Sequence, residues 1–111
     1  MSEMPSLSLI ITTFSEEAVA HVVVRQLLEE RLVVCGTMLP GARSFYHWKG
    51  KLEESGELVV VLKTEPEIAS CCMERLAELH PYEVPEIVQI TPEAVSAPYA
   101  DWVRDSLRKS Q

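Results

Sequence analysis

Basic residues are scarce in this chain: ten lysines and arginines stand against seventeen aspartates and glutamates, a formal charge of −7 over 111 residues. A surface that acidic repels phosphate backbones, which argues against sequence-independent nucleic-acid binding. No apolar run approaches the ~20 residues that cross a bilayer, so no membrane association is expected. The opening residues carry neither the basic nor the long apolar region of a secretory leader, and the expected compartment is the cytosol. Only three cysteines occur, Cys35, Cys71 and Cys72, two of them adjacent. An odd, unspaced set is no disulfide framework and suits a reducing compartment. Neither Cys-x-x-Cys nor His-x₃-His is present, so no zinc knuckle is encoded locally. The four glycines are scattered and form no phosphate-cradling loop. Repeats, low-complexity tracts and linkers are also missing, and residues 1–111 read as one domain.

What is present is a clear alternation of patterns. Residues 6–13 are β-branched and partly alternating, a strand. Ser15 is placed to cap a helix, with Ala20, Val23, Val24, Leu27 and Leu28 on one face. Residues 32–39 form a second strand, interrupted at Pro40-Gly41. The chain resumes over residues 43–48 with Ser44, Tyr46 and Trp48 on one side and Arg43, Phe45 and His47 on the other. Lys49-Gly50 reads as a tight turn. Residues 51–64 return antiparallel, with Ser55-Gly56 as a second interruption. Thr64 to Glu67 has capping-box spacing before a second helix with Ile68, Cys71, Cys72, Leu76 and Leu79 on one face. Residues 86–91 are a short strand. Ser96 precedes a last helix marked by Tyr99, Trp102, Val103 and Leu107, with Arg104, Arg108 and Lys109 near its negative end. The order β-α-β-β-α-β plus a helix is the α+β, ferredoxin-like split βαβ.

The hairpin over residues 32–64 is longer than so small a chain can cover. Its far half would hold Phe45, Tyr46 and Trp48 out as open edge and aromatic surface. A homo-oligomer whose hairpins add to one another's sheets is the economical solution, with Tyr46 and Trp48 between subunits.

Chemistry-bearing residues are few. No nucleophile–base–acid set is visible, so an enzyme is not expected. Cys35 sits mid-strand among valines, where a thiol is usually an inert small hydrophobe. His21 falls on a solvated helix face and His47 on surface or interface. The stiffest polar stretch is His80-Pro81-Tyr82-Glu83-Val84-Pro85-Glu86, held extended by its prolines. It fits a functional connector, and equally a strand lead-in whose side chains bond locally. His80 is the leading metal-ligand candidate, with Glu83 and Cys35 behind it. Lys63, Tyr82, Arg43, Glu57 and Trp102 are candidates to line a cleft.

Taken together, Pro40-Gly41, Ser44, Tyr46, Trp48 to Lys51, Glu57, Lys63-Thr64, the 80–86 stretch and the Tyr99/Trp102 pair resemble the CutA divalent-cation tolerance family. The match runs from the first strand to the last helix. The resemblance implies a ferredoxin-like subunit in a tight homotrimer, architecturally like the PII signalling proteins. It also implies a role in tolerance to copper and other divalent cations through weak metal binding, and no catalytic reaction. Some members carry a copper-assigned cysteine where this chain has Thr12, and two consecutive histidines where it has Leu79 and His80. Of that ligand set only His80 is kept. The expectation is therefore a trimeric cytosolic protein of the divalent-metal response, copper being the first candidate ion. The alternative is a PII-like sensor or scaffold whose intersubunit clefts take a small anion or a protein partner.

Overall fold

The computed structural model describes residues 7–108. Ser6, placed in the first strand from sequence, and Lys109 lie outside that range. Strand β1 (Ser8–Phe14) leads to helix α1 (Glu17–Glu29), the long strands β2 (Cys35–Trp48) and β3 (Lys51–Thr64), helix α2 (Pro66–Leu79), the short strand β4 (Val88–Ile90) and helix α3 (Ala97–Arg108). The sheet runs β2-β3-β1-β4 with antiparallel neighbours throughout. This is the ferredoxin-like α+β arrangement expected from the pattern.

One sheet face carries Ile10, Phe14, Leu58, Val60 and Leu62, all buried, and α1 and α2 close over it with Ala20, Val23, Val24, Leu27, Ala69, Cys72 and Leu76. Strand alternation and helical spacing bring these residues together. Two positions assigned to helix faces lie outside that core: Leu28 is exposed and so is Cys71, while Ala69 takes the buried place on α2. The small side chain of Ala69 gave no hydrophobic signal strong enough to set the phase.

Helix ends also differ from expectation. Neither Ser15 nor Thr64 caps: Glu16 and Glu65 stand at the N-cap positions without a side-chain cap bond. Thr64 is instead buried on the core side, its hydroxyl without a partner among the described residues. At the other end of α1, Arg31 takes a positive φ of 62°. Its N–H donates to the Leu28 carbonyl and that of Leu32 to Leu27, the paired bonds of a Schellman ending, here without glycine.

The hairpin is one continuous ladder from Cys35↔Lys63 to Trp48↔Lys51. Residues 32–34 precede the strand rather than open it, and Ser55-Gly56 pairs normally with Ser44 and Arg43, so the expected second interruption is absent. The single irregularity lies between Leu39 and Ala42, where Gly41 sits at φ 87°. A bulge there bends the arm, and only glycine enters that region without Cβ strain. Lys49 (φ 51°) and Gly50 (φ 81°) close the tip, as a two-residue hairpin turn requires.

The second sheet face is thinly covered. Val103 of α3 is fully buried against it, but Leu39, Val88 and Ile90 remain 50%, 45% and 41% exposed. Arg31 Nη1 donates to the Ser106 carbonyl at 3.0 Å and Arg108 Nη1 to Glu65 at 2.7 Å, which pins α3 to the end of the sheet where β2 begins.

Candidate functional site

Where the 80–86 connector leaves α2, it crosses the C-terminal end of β1 and faces the base of the arm. The angle between them is a cleft of about 670 Å³. Its walls are Phe45, Tyr46 and Trp48 from the arm, Tyr82 and Val84 from the connector, and Thr13 and Ser15 from the end of β1.

His80 anchors the connector. It is 7% exposed and stacks on Phe14, with ring centroids 4.2 Å apart. The Tyr82 N–H donates to Nδ1 at 3.2 Å, and Nε2 lies 2.8 Å from the Thr13 carbonyl. A carbonyl only accepts, so Nε2 carries the proton and the ring is the neutral tautomer. Burial pushes its pKa below the usual histidine value, against smaller upward pulls from the Thr13 carbonyl and Glu57. Both nitrogens are therefore engaged, and His80 as placed offers a metal no lone pair. Placed in this way it positions the connector on β1, and a metal would have to displace one of these bonds to be held by His80. The signal was invisible in sequence because Thr13 and Phe14 reach it from 67 and 66 positions away.

The connector's Tyr82 in turn fixes the cleft's central charge. Its hydroxyl donates to Glu57 Oε2 at 2.7 Å while Ser44 Oγ donates to Oε1 at 2.6 Å. Burial, and then the bond to Glu57, push the Tyr82 pKa up to about 12. Tyr82 remains a phenol and a donor at neutral pH. Glu57 is thus held by two donors, with a lone pair on each oxygen still free for a ligand. Glu83 and Glu86 add two more carboxylates, and the lining includes no lysine or arginine among the described residues.

Of the cleft residues expected from sequence, Glu57 and Tyr82 meet there. The other three do not. Arg43 turns to the opposite side of the arm and pairs with Glu54 at 2.6 Å, both side chains solvated. Lys63 pairs in register with Leu9, four strand residues from Thr13, or about 14 Å along β1. There it donates to Thr37 Oγ1 at 2.7 Å and lies 3.7 Å from the Cys35 sulfur. Trp102 lies on α3, tilted against Tyr99 and 48% exposed. Cys35, half-buried beside Lys63, is not among the cleft residues, whereas Glu83 is. No three histidine, cysteine, aspartate or glutamate side chains cluster tightly enough to cage a metal among the described residues. Ser44, Thr13 and Ser15 were missed as cleft residues. Only Ser44 had a signal, since it alternates with Tyr46 and Trp48.

A ferredoxin-like plait, extended by a bent two-stranded arm that walls an acidic cleft, defines a small class of α+β proteins. Within that class the affiliation is specific. Residues 8–106 match the family model described as CutA1 divalent ion tolerance protein. The divalent-cation tolerance protein CutA of Pyrococcus horikoshii is 40% identical over 101 residues, covering 91% of this chain and 98% of the relative. Its counterpart in Pectobacterium atrosepticum is 36% identical, covering 89% and 90%. The crystal structure of CutA from Xylella fastidiosa superposes with a TM-score of 0.88 at 33% identity, over 92% of this chain and 98% of that one. The chain belongs to the CutA1 divalent ion tolerance family.

Proposed function

We propose that this protein is a trimeric, cytosolic binding protein of the divalent-cation response, not an enzyme, and that its cleft holds a divalent cation weakly. The observation that carries the reading is the lining itself: Glu57, Glu83 and Glu86 with no lysine or arginine. The alternative is a PII-like sensor or scaffold whose intersubunit clefts take a small anion or a protein partner; the cleft within one subunit does not favour the anion, since Lys63 and Arg43 lie outside it. Oxygen donors suit hard divalent ions, while Cu²⁺ remains a competitor through its generally high affinity. Without a tight donor cluster the affinity belongs in the range of about 0.1–1 mM. Three free thiols, one of them exposed Cys71, suit a reducing compartment. No helix among the described residues is long and apolar enough to cross a membrane.

The trimer rests on surface the subunit leaves open. Phe45 and Leu52 on the arm are 65% and 73% exposed, and the second sheet face adds Leu39, Val88 and Ile90. Aromatic and branched side chains in such a stripe need a partner. Copies whose arms pair around a common axis cover it, bury Tyr46 and Trp48, and set the cleft at the seam.

Isothermal titration with Mn²⁺ and with Cu²⁺ tests the metal reading. Saturable heats are expected for the native protein and should be lost in the Glu83→Gln/Glu86→Gln variant, whose altered side chains are exposed. Equal heats in both proteins would remove the cleft from the account.

A further inference from the structure

At the base of the hairpin, at the far end of β3 from the cleft, two reactive side chains face each other. Cys35 and Lys63 are directly paired across β2 and β3, and Thr37, two residues on, projects from the same face. Val60 and Leu62 point into the core beneath the helices, so alternation puts Lys63 and its partner Cys35 on the second sheet face. There the Lys63 ammonium donates to Thr37 Oγ1 at 2.7 Å and to the Cys35 sulfur at 3.7 Å. No carboxylate pairs with it among the described residues. The nitrogen is therefore held against the sulfur and not drawn away into an ion pair. The other thiols lie elsewhere. Cys72 is fully buried in the helix layer on the opposite side of the sheet, and Cys71 is exposed next to it on α2. An oxidised Cys35 thus meets no second thiol within the subunit, only an amine.

We propose that Cys35 and Lys63 are a modification site for hydrogen peroxide, which joins them by a reversible sulfur–nitrogen bridge. The Cys35 thiolate attacks one peroxide oxygen, the O–O bond breaks, and water leaves with Cys35 as a sulfenic acid. Lys63 Nζ gives up a proton and attacks that sulfur. The S–OH bond breaks, a second water leaves, and an S–N bond remains. One thiol, one amine and one peroxide become one sulfenamide and two waters, the sulfur supplying the two electrons that reduce the peroxide. Sulfenic acids condense with backbone nitrogen in this way; here the lysine nitrogen stands in its place. The flexible four-carbon stem of Lys63 closes the remaining gap without moving the strands. Thr37, beside the pair, is exposed, and peroxide is little larger than water, so the oxidant has a path to the sulfur. A thiol reductant attacks the bridged sulfur and returns both side chains. The bridge fixes β2 to β3 at their base, removes the Lys63 charge and keeps Cys35 from irreversible oxidation to the sulfinic acid.

The test is a peptide map of the full-length protein carrying Cys71→Ser, which removes the exposed thiol and touches neither partner. The protein is treated with hydrogen peroxide, remaining thiols are alkylated, and trypsin is applied without reductant. The expected product is peptide 32–43 joined to peptide 52–75, two hydrogens lighter than their sum, with the cut after Lys63 lost. Dithiothreitol before digestion should restore the thiol and the cut. Lys63→Arg keeps the positive charge but not the amine, and in that variant Cys35 should gain one or two oxygens and form no link. Overturning results are Cys35 gaining oxygen while trypsin still cuts after Lys63, Cys35 staying reduced, or the same link forming in Lys63→Arg. The linked peptide identifies both residues by itself, so the result stands even where Lys63→Arg does not fold.

Discussion

The two halves of one hairpin live in different surroundings. Near its base, Val60 and Leu62 of β3 are fully buried beneath α1 and α2. Beyond the bulge at Gly41, the same strands hold Phe45 and Leu52 out at 65% and 73% exposure. Backbone pairing resumes beyond the bulge and runs to the tip, so secondary structure alone does not explain the difference. What changes is the covering layer: the helices end where the arm begins, and the molecule is 50 Å long against 30 and 23 Å in its other dimensions. A long ladder with hydrophobic side chains and no layer over it is stable only when something else supplies that layer. The base of the hairpin is thus a matter of subunit folding, and in the proposed trimer the arm is a matter of assembly.

Substitutions separate the two. Leu62→Ala at the base should cost about 4 kcal/mol, since it empties a fully buried site. Denaturant unfolding should show that loss at any protein concentration. Trp48→Ala on the arm should cost about 3 kcal/mol, and that loss should appear as a melting temperature that falls on dilution. A concentration-independent loss would place Trp48 with the base instead. Tyr82→Phe removes one donor to Glu57 and should cost about 1 kcal/mol, with the arm's angle to the connector loosened.

The pH dependence is smaller and its sign is fixed. The His80 pKa is depressed in the folded state, so the unfolded chain binds the proton more readily. Its stabilising contribution is complete above the ordinary histidine value of 6.5 and declines as pH falls from there toward the folded value. Thermal melts from pH 8 to 5 should show this decline, and His80→Gln should flatten it. Least of all, Arg43→Ala should change stability by no more than about 0.5 kcal/mol, because the Arg43–Glu54 pair is solvated.

The fold was legible because its signals are local. Alternation over β3, helical spacing in α1 and the Lys49-Gly50 turn each sit within one element. The site was only partly legible because it is assembled across elements. Glu57 and Tyr82 could be named as cleft candidates, but nothing in the sequence says that Lys63 lies six residues, or about 20 Å, along β3 from Glu57, at the far end of the strand from the cleft. His80 stood out by its rigidity, yet its chemistry is decided by the Thr13 carbonyl and the Phe14 ring. The missing caps at Ser15 and Thr64 show the same limit, since burial of Thr64 overrides its capping preference.

Sedimentation equilibrium at low micromolar concentration tests the division between base and arm most directly. A single species of three times the 12.5 kDa chain mass is the expected result. A folded species of one chain mass, with its arm ordered and no concentration dependence, would contradict it.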